Sequence, residues 1–223
     1  DAFAFNAALG NVNDDVLANS KYGDQHRIIG VGSKKWNYAN DKWATTVSAF
    51  FEYAKGGRFN YTYGGDINGD GSNLNDLLYI PTSSEIGEMQ FSEPGQGAAF
   101  DAYIAQDDYL NGRRGQYAER YGAISPWRGR LDLKILQDYN IKINENRTNT
   151  LQFSIDILNV GNMINSDWGV MQQPNNVQPI GVTVDPGTST PTYTFNPDLK
   201  ETFGYDTSLA SRWQAQFGLR YIF

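Results

Sequence analysis

Residues 212–223 alternate strictly between two kinds of side chain. Trp213, Ala215, Phe217, Leu219, Tyr221 and Phe223 share one parity, and Arg212, Gln214, Gln216 and Arg220 share the other. A period of two sends successive side chains to opposite faces of an extended chain, so the segment reads as a strand with one apolar and one polar face. The pattern returns in 130–141, where Leu131, Leu133, Ile135, Tyr139 and Ile141 oppose Arg130, Asp132, Lys134, Asp138 and Asn140. It returns again in 150–159, with Leu151, Phe153, Ile155 and Ile157 against Gln152, Ser154 and Asp156. Each run has the length of about 9 to 11 residues that a tilted strand needs to cross a bilayer. Two further strands are expected at about 26–36 and 43–54, the second running on through Gly56-Gly57 to Tyr63.

The links between these strands alternate in length. They are short at 37–41 and 143–146, and long at 64–127 and 160–210. Tight turns alternating with long loops is the pattern of outer-membrane β-barrels, whose turns are periplasmic and whose loops are extracellular. If the last strand ends at the periplasmic face, both short turns fall inside and both long loops fall outside. An odd count of five strands then puts 1–25 outside, and Asn11, Asn13, Asp14, Asp15, Ser20 and Gly23 give that segment loop composition.

Five strands cannot close a barrel, since about eight is the smallest number known. Open edges are not tolerated in lipid. The expected fold is therefore all-β, the C-terminal part (about five strands) of a larger antiparallel transmembrane β-barrel. The chain is either a fragment broken in an extracellular loop or one of several subunits sharing a barrel. The expected order is an extracellular loop over 1–25, two strands with a short periplasmic turn over 26–63, and a long extracellular loop over 64–127. Two more strands follow over 128–159, a second long loop over 160–210, and the final strand over 211–223. A soluble antiparallel sheet also alternates. It is opposed by the charge on the polar faces, the aromatic load of the apolar faces, the alternating loop lengths and the outward-facing Phe223.

Composition narrows the classes further. Mean hydropathy is −0.53, and no stretch approaches the roughly 18 to 20 apolar residues of a membrane helix. A barrel tolerates a polar average because its lumen-facing residues and loops are polar. The chain has no cysteine, which removes disulfides, thiolate metal sites and Cys nucleophiles. A net charge of −7 argues against a nucleic-acid partner, which needs clustered Lys and Arg. Asp1-Ala2-Phe3-Ala4-Phe5 lacks the positive start and long apolar core of a signal peptide, so the chain is mature or starts inside a longer protein. The aromatics Trp36, Tyr38, Trp43, Tyr139 and Phe223 gather at the expected periplasmic strand ends, and Tyr61, Tyr63 and Trp213 near the outer ends. Two such levels are what membrane-interface girdles require.

One local motif suggests a ligand. Asp66-x-Asn68-x-Asp70-Gly71 places oxygens at positions 1, 3 and 5 with Gly at 6, as in the first half of a calcium loop. Position 12, a bidentate Glu in an EF-hand, is Leu77, and Asp76 is the nearby carboxylate that could substitute. The candidate Ca2+ set is thus Asp66, Asn68, Asp70 and Asp76, against the plain reading of a Gly/Asn/Asp-rich turn. Arg113, Arg114, Arg120, Arg128 and Arg130 form a basic cluster that either binds an anion such as lipopolysaccharide phosphate or, as preferred here, pairs with Glu119, Asp107 and Asp108. His26 is the only histidine and has no nucleophile motif beside it. Glu119 and Asp132 could form a carboxylate pair, but charged lumen-facing residues are routine in barrels; no catalytic constellation emerges, and no enzyme is expected. Gly56-Gly57 and Gly64-Gly65 read as bulges or turns.

Several segments bear a family resemblance. Gly218-Leu219-Arg220-Tyr221-Ile222-Phe223 resembles the barrel-assembly signal of outer-membrane proteins, carried here by Gly218, Tyr221 and Phe223. Asp24-Gln25-His26-Arg27-Ile28, Gly57-Arg58-Phe59-Asn60-Tyr61-Thr62-Tyr63, Asp66-Ile67-Asn68-Gly69-Asp70-Gly71 and Asn75-Asp76-Leu77-Leu78-Tyr79-Ile80-Pro81 resemble the C-terminal portion of Bacteroidetes TonB-dependent receptors, the SusC/RagA-like and Oar-like group. So do Arg113-Arg114-Gly115-Gln116-Tyr117-Ala118-Glu119-Arg120, Pro126-Trp127, Arg130-Leu131-Asp132, Asn159-Val160-Gly161-Asn162 and Ser211-Arg212-Trp213-Gln214. The resemblance implies a 22-stranded barrel with an N-terminal plug, active nutrient uptake across the outer membrane, and a lumen lined by Arg130, Lys134, Gln152, Asp156, Gln214 and Arg220. The partners it implies are the remaining strands and plug of the same receptor, the TonB system through that plug, lipopolysaccharide, the barrel-assembly machinery and in some cases a surface lipoprotein. The chain carries neither a plug nor a recognisable TonB box. The alternative is an outer-membrane barrel with an adhesive or structural role and no transport.

Overall fold

The computed structural model describes residues 6–223 apart from Val12, Asp15 and Asp24, so part of the expected 1–25 loop and the Asp24 of one resemblance segment lie outside the described residues. The chain is mostly β, and its extended ladders are antiparallel. It divides into two compact units: 25–55, 126–172 and 205–223 in one, and 56–125, 173–204 with the described residues of 1–24 in the other.

The first unit is a five-stranded sheet. Its strands are β1 (Arg27–Tyr38), β2 (Trp43–Lys55), β3 (Trp127–Asn144), β4 (Arg147–Leu158) and, last in the chain, β7 (Gln214–Ile222). They lie in the order β1-β2-β3-β4-β7. The β1–β2 hairpin closes at the Tyr38–Trp43 pair. Ala39, Asn40 and Asp41 all take left-handed φ, between 52° and 60°, a region that costs most L-residues about 1–2 kcal/mol each. The β3–β4 hairpin turns through Glu145-Asn146, with a register slip between Lys142 and Asn144. Because the pairing is antiparallel throughout, both tight turns and Phe223 lie at one end of the sheet.

Register aligns the two parities across β2, β3, β4 and β7, while β1 mixes them, with Lys34 opposite Val47 and Ile29 opposite Glu52. Phe51 faces Leu131, Leu133 faces Ile157, and Ile155 faces Phe217, so one face is apolar. On the other face Glu52 sits beside Arg130, and Lys134 beside Asp156. One glycine makes room for a ring on the apolar face. The ring of Tyr53 lies against Gly129, where a Cβ would come within 3.3 Å of Tyr53 Cδ2, and the same ring stacks on Trp127 at 4.7 Å.

The second unit holds the hydrophobic core. Its helices are α1 (Ser83–Ile86), α2 (Gln96–Gln106) and α3 (Asp108–Asn111), and its hairpin is β5 (Ile180–Val184) with β6 (Pro191–Phe195). Phe100, Tyr103 and Ile104 lie three and four residues apart on one face of α2, and they pack with Tyr61, Leu78, Ile80, Ile180 and Phe195. The segments expected as long loops therefore carry a closely packed interior of their own.

Two expectations are corrected here. Strand β2 ends at Lys55 and does not run on to Tyr63; Arg58–Phe59 pairs instead with Ala123–Ile124. Tyr61 and Tyr63 are consequently core residues, 1% and 5% exposed, and not part of an aromatic level at a strand end. The glycine pairs are close backbone crossings. A Cβ at Gly56 would sit 2.4 Å from Ser125 Cβ, and one at Gly65 would sit 2.2 Å from the Val182 carbonyl. Gly64 exchanges backbone hydrogen bonds with β5, donating to Ile180 at 2.9 Å and accepting from Val182 at 3.1 Å.

Candidate functional site

The six residues expected to line a lumen all fall on the polar face of the sheet, because each shares the parity opposite the apolar set. Among the described residues, all of their charges except that of Arg220 are paired locally. Arg130 Nε donates to Asp132 Oδ1 at 2.8 Å, and Lys134 Nζ to Asp156 Oδ1 at 2.7 Å. Asp138 accepts from Gln152 Nε2 at 2.8 Å and pairs with Lys35 at 3.6 Å. Glu52 pairs with Arg27 at 2.5 Å and with Arg128 at 3.8 Å. Gln214 Nε2 donates to the Leu209 carbonyl, and Arg220 stands opposite Gln152 across the β4–β7 ladder.

The apolar face is open. Phe217 is 66%, Leu219 74% and Phe223 84% exposed, and Trp36, Trp43, Phe51, Trp127, Phe153 and Tyr221 are also open. Its ends are aromatic. Trp43 packs on Tyr139 at 4.6 Å near the tight turns, and at the opposite end Trp127 stacks between Tyr53 and His26. His26 is thus a stacking partner at a strand start. Polar side chains also lie on this face, among them Lys34, Thr45, Gln137 and Asn149, and Gln137 is fully satisfied: its Oε1 accepts from Thr45 and Tyr38, while Nε2 donates to the carbonyls of Ala44 and Asp138. A polar group can sit on an apolar face when its hydrogen bonds are made within the protein. The residues of the barrel-assembly resemblance divide between the faces. Gly218 lies on the polar side, where a Cβ would come 2.5 Å from Ser154 Oγ, and Tyr221 and Phe223 stack on the apolar side at 6.0 Å.

The basic cluster disperses into separate contacts. Arg113 pairs with Glu119, and Arg114 with Asp101 at 2.8 Å. Arg120 donates to Asn6 Oδ1 and to the Val16 carbonyl. Asp107 pairs with none of them. It is buried and accepts instead from Tyr61 Oη at 3.0 Å, Thr202 Oγ1 at 2.6 Å and Leu110 N at 2.8 Å. Burial, with the charge of Asp107 beside it, pushes the Tyr61 phenol far up, so it stays a donor. Glu119 and Asp132 each have their own arginine and do not act as a pair.

The loop over 66–76 gathers all four candidate ligands. Asp66 Oδ1 accepts from the amides of Gly69 and Asp70 at 2.7 and 3.1 Å, and its Oδ2 from Gly71 at 2.7 Å. Gly69 and Gly71, at φ 78° and 89°, supply the left-handed turns that aim those amides inward. Asp70 Oδ1 accepts from the Ser72 amide at 2.9 Å, which holds its carboxyl below the usual carboxylate range. Asp76 is 4% exposed and folds back on the loop, accepting from Ile67 N at 3.0 Å and Asn68 Nδ2 at 2.5 Å. Burial, followed by the charges of Asp70 and Asp66, raises its pKa. Among the described residues no three His, Asp or Glu groups converge closely enough to hold a metal ion by themselves. Sequence reading missed Asn75, which is 1% exposed and donates from Nδ2 to Asp70 Oδ2 at 3.0 Å. The signal was available in its position, between the loop and the buried Asp76-Leu77-Leu78 run.

Comparison of the chain with protein-family models, with curated proteins and with solved structures returns no match.

Proposed function

We propose that this chain is the C-terminal section of an outer-membrane β-barrel of the TonB-dependent receptor type, serving active uptake of a nutrient. The observation that carries the reading is the inverted character of the sheet: its apolar, aromatic-ended face is open, and most charges of its other face are ion-paired within that face. A sheet in water covers its apolar face and exposes its charges, whereas lipid reverses that preference. Exposed apolar surface on this scale marks contact with a membrane or a partner. Strands β1 and β7 also have open outer edges among the described residues, and in hydrocarbon those edges require further strands. The receptor type rests on the sequence resemblance, which spans both units.

The membrane part is tested with single-Trp variants of the protein in bilayers of brominated lipid. Strong quenching is expected for Trp43 and Trp127 and little for Trp168, which lies outside the strands; equal quenching, or a chain that is a stable monomer in water without detergent, overturns it. The transport part is tested by whole-protein mass spectrometry and uptake assays. A plug and TonB-interacting segment joined to this chain, with uptake lost on collapse of the proton-motive force, is expected. Their absence favours the adhesive or structural barrel.

A further inference from the structure

The 66–76 loop leaves two features that its own hydrogen bonds do not account for. Asp66, Asp70 and Asp76 lie close enough that the charges of the first two act on the third, yet among the described residues no Lys or Arg pairs with any of them. Only the Asn68 amide mediates, donating to Asp76 Oδ1 at 2.5 Å and weakly to Asp70 Oδ2 at 3.4 Å. The second feature is the Asn75 side chain. Its Nδ2 reaches the Asp70 carboxylate, but its Oδ1 is buried without a hydrogen-bond partner. A buried acceptor left unmade costs about 1–3 kcal/mol, so an orphan amide oxygen on a side chain that bonds one of three carboxylates without a Lys or Arg partner points to a missing positive group.

We infer that the loop binds a calcium ion, with carboxylate oxygens from Asp66, Asp70 and Asp76 and amide oxygens from Asn68 and Asn75. Carboxylates alone do not converge here, and amide oxygens complete the set. Calcium suits this mixture, since it takes 6–8 oxygens in flexible geometry, whereas magnesium demands a near-ideal octahedron. The ion displaces Asn68 Nδ2 from its place between two carboxylates and gives Asn75 Oδ1 a partner. Leu77 stands where an EF-hand supplies its bidentate Glu and is buried in contact with the rest of its unit. The site therefore belongs in the weak range of extracellular modules, with Kd on the order of 10⁻⁴–10⁻³ M. This inference does not rest on the membrane reading.

The test is hydrogen exchange of the full chain, stripped with chelator and titrated with Ca2+ alone. Exchange of the 66–78 amides is expected to slow saturably, with magnesium competing poorly. Asp70→Asn is expected to weaken the response by about tenfold or more, while Asp185→Asn, at a turn elsewhere in the same unit, leaves it unchanged. No saturable protection up to about 10 mM Ca2+, well above that range, overturns the inference, as does equal protection in Asp70→Asn. If Asp70→Asn fails to fold, the chelator and Ca2+ comparison on the unaltered chain decides alone.

Discussion

Asp107 shows how much can rest on one side chain. Its carboxylate collects a phenol, a hydroxyl and a backbone amide from Tyr61, Thr202 and Leu110, all inside the second unit. Asp107→Ala orphans three buried donors at about 1–3 kcal/mol each, not fully additive, so a loss of roughly 3 kcal/mol or more is expected in denaturant unfolding. Tyr61→Phe removes one donor and keeps the packing, and it should cost about 1 kcal/mol. Asp76 gives a pH prediction. Its raised pKa means that protonation competes with calcium as the pH falls, so the apparent Ca2+ affinity should decline from neutral toward acid pH. An affinity flat across that range would place the ion away from Asp76. None of these partners was legible in the sequence. Asp107 looked like an ion-pair candidate for the arginines because charge is visible in a sequence and depth is not.

At the scale of elements, short devices hold the second unit together. Helix α1 has a capping box: Thr82 accepts from the Glu85 amide, and Glu85 accepts from the Thr82 amide at 2.7 Å and from Tyr79 Oη at 2.8 Å. The bond from the Thr82 amide leads in holding the Glu85 pKa below its ordinary value. A depressed carboxylate contributes stability above its unfolded pKa and loses it as the pH falls through the folded one. Protection of the 79–89 amides, measured relative to their intrinsic exchange rates, should therefore fall below about pH 4, and Glu85→Gln should abolish that pH dependence. Thr82→Ala should cost about 1 kcal/mol. Gly65 is the tighter constraint. At φ 145°, with a Cβ position 2.2 Å from the Val182 carbonyl, Gly65→Ala cannot be absorbed by a side chain moving aside. It should part β5 from Gly64 and lower the unfolding midpoint of this unit far more than Gly57→Ala, where a Cβ meets nothing within 4 Å. Helix α2 escaped the sequence reading because its apolar residues are only Phe100, Tyr103 and Ile104 beside small and polar ones, and Gly95 and Gly97 mask its start. Strands β3, β4 and β7 were legible because each carries the period-two signal along most of its length, whereas β1 and β2, with Ile28-Ile29 and Phe50-Phe51 adjacent, read less cleanly.

For the whole molecule, the five-stranded sheet and the packed unit divide the chemistry between them. The unit built from 56–125 and 173–204 buries its aromatics: Tyr61, Phe100, Tyr103 and Phe195 are almost fully enclosed. The sheet leaves Phe217, Leu219 and Phe223 open and pairs its charges instead. The alternation of 130–141, 150–159 and 212–223 by itself determined that these segments are strands and that within each the apolar residues take one face and the polar ones the other. That is local physics, since a side chain's face follows from its parity once the backbone is extended. The register of the ladders put Arg130, Lys134, Gln152, Asp156, Gln214 and Arg220 on a common face. Only the tertiary structure decided that β2 stops at Lys55, that Tyr61 and Tyr63 are core, and that the intervening segments pack around a common interior. Those outcomes depend on residues far apart in the chain meeting, as Gly65 meets Val182 and Asp107 meets Thr202, and no period records such a meeting.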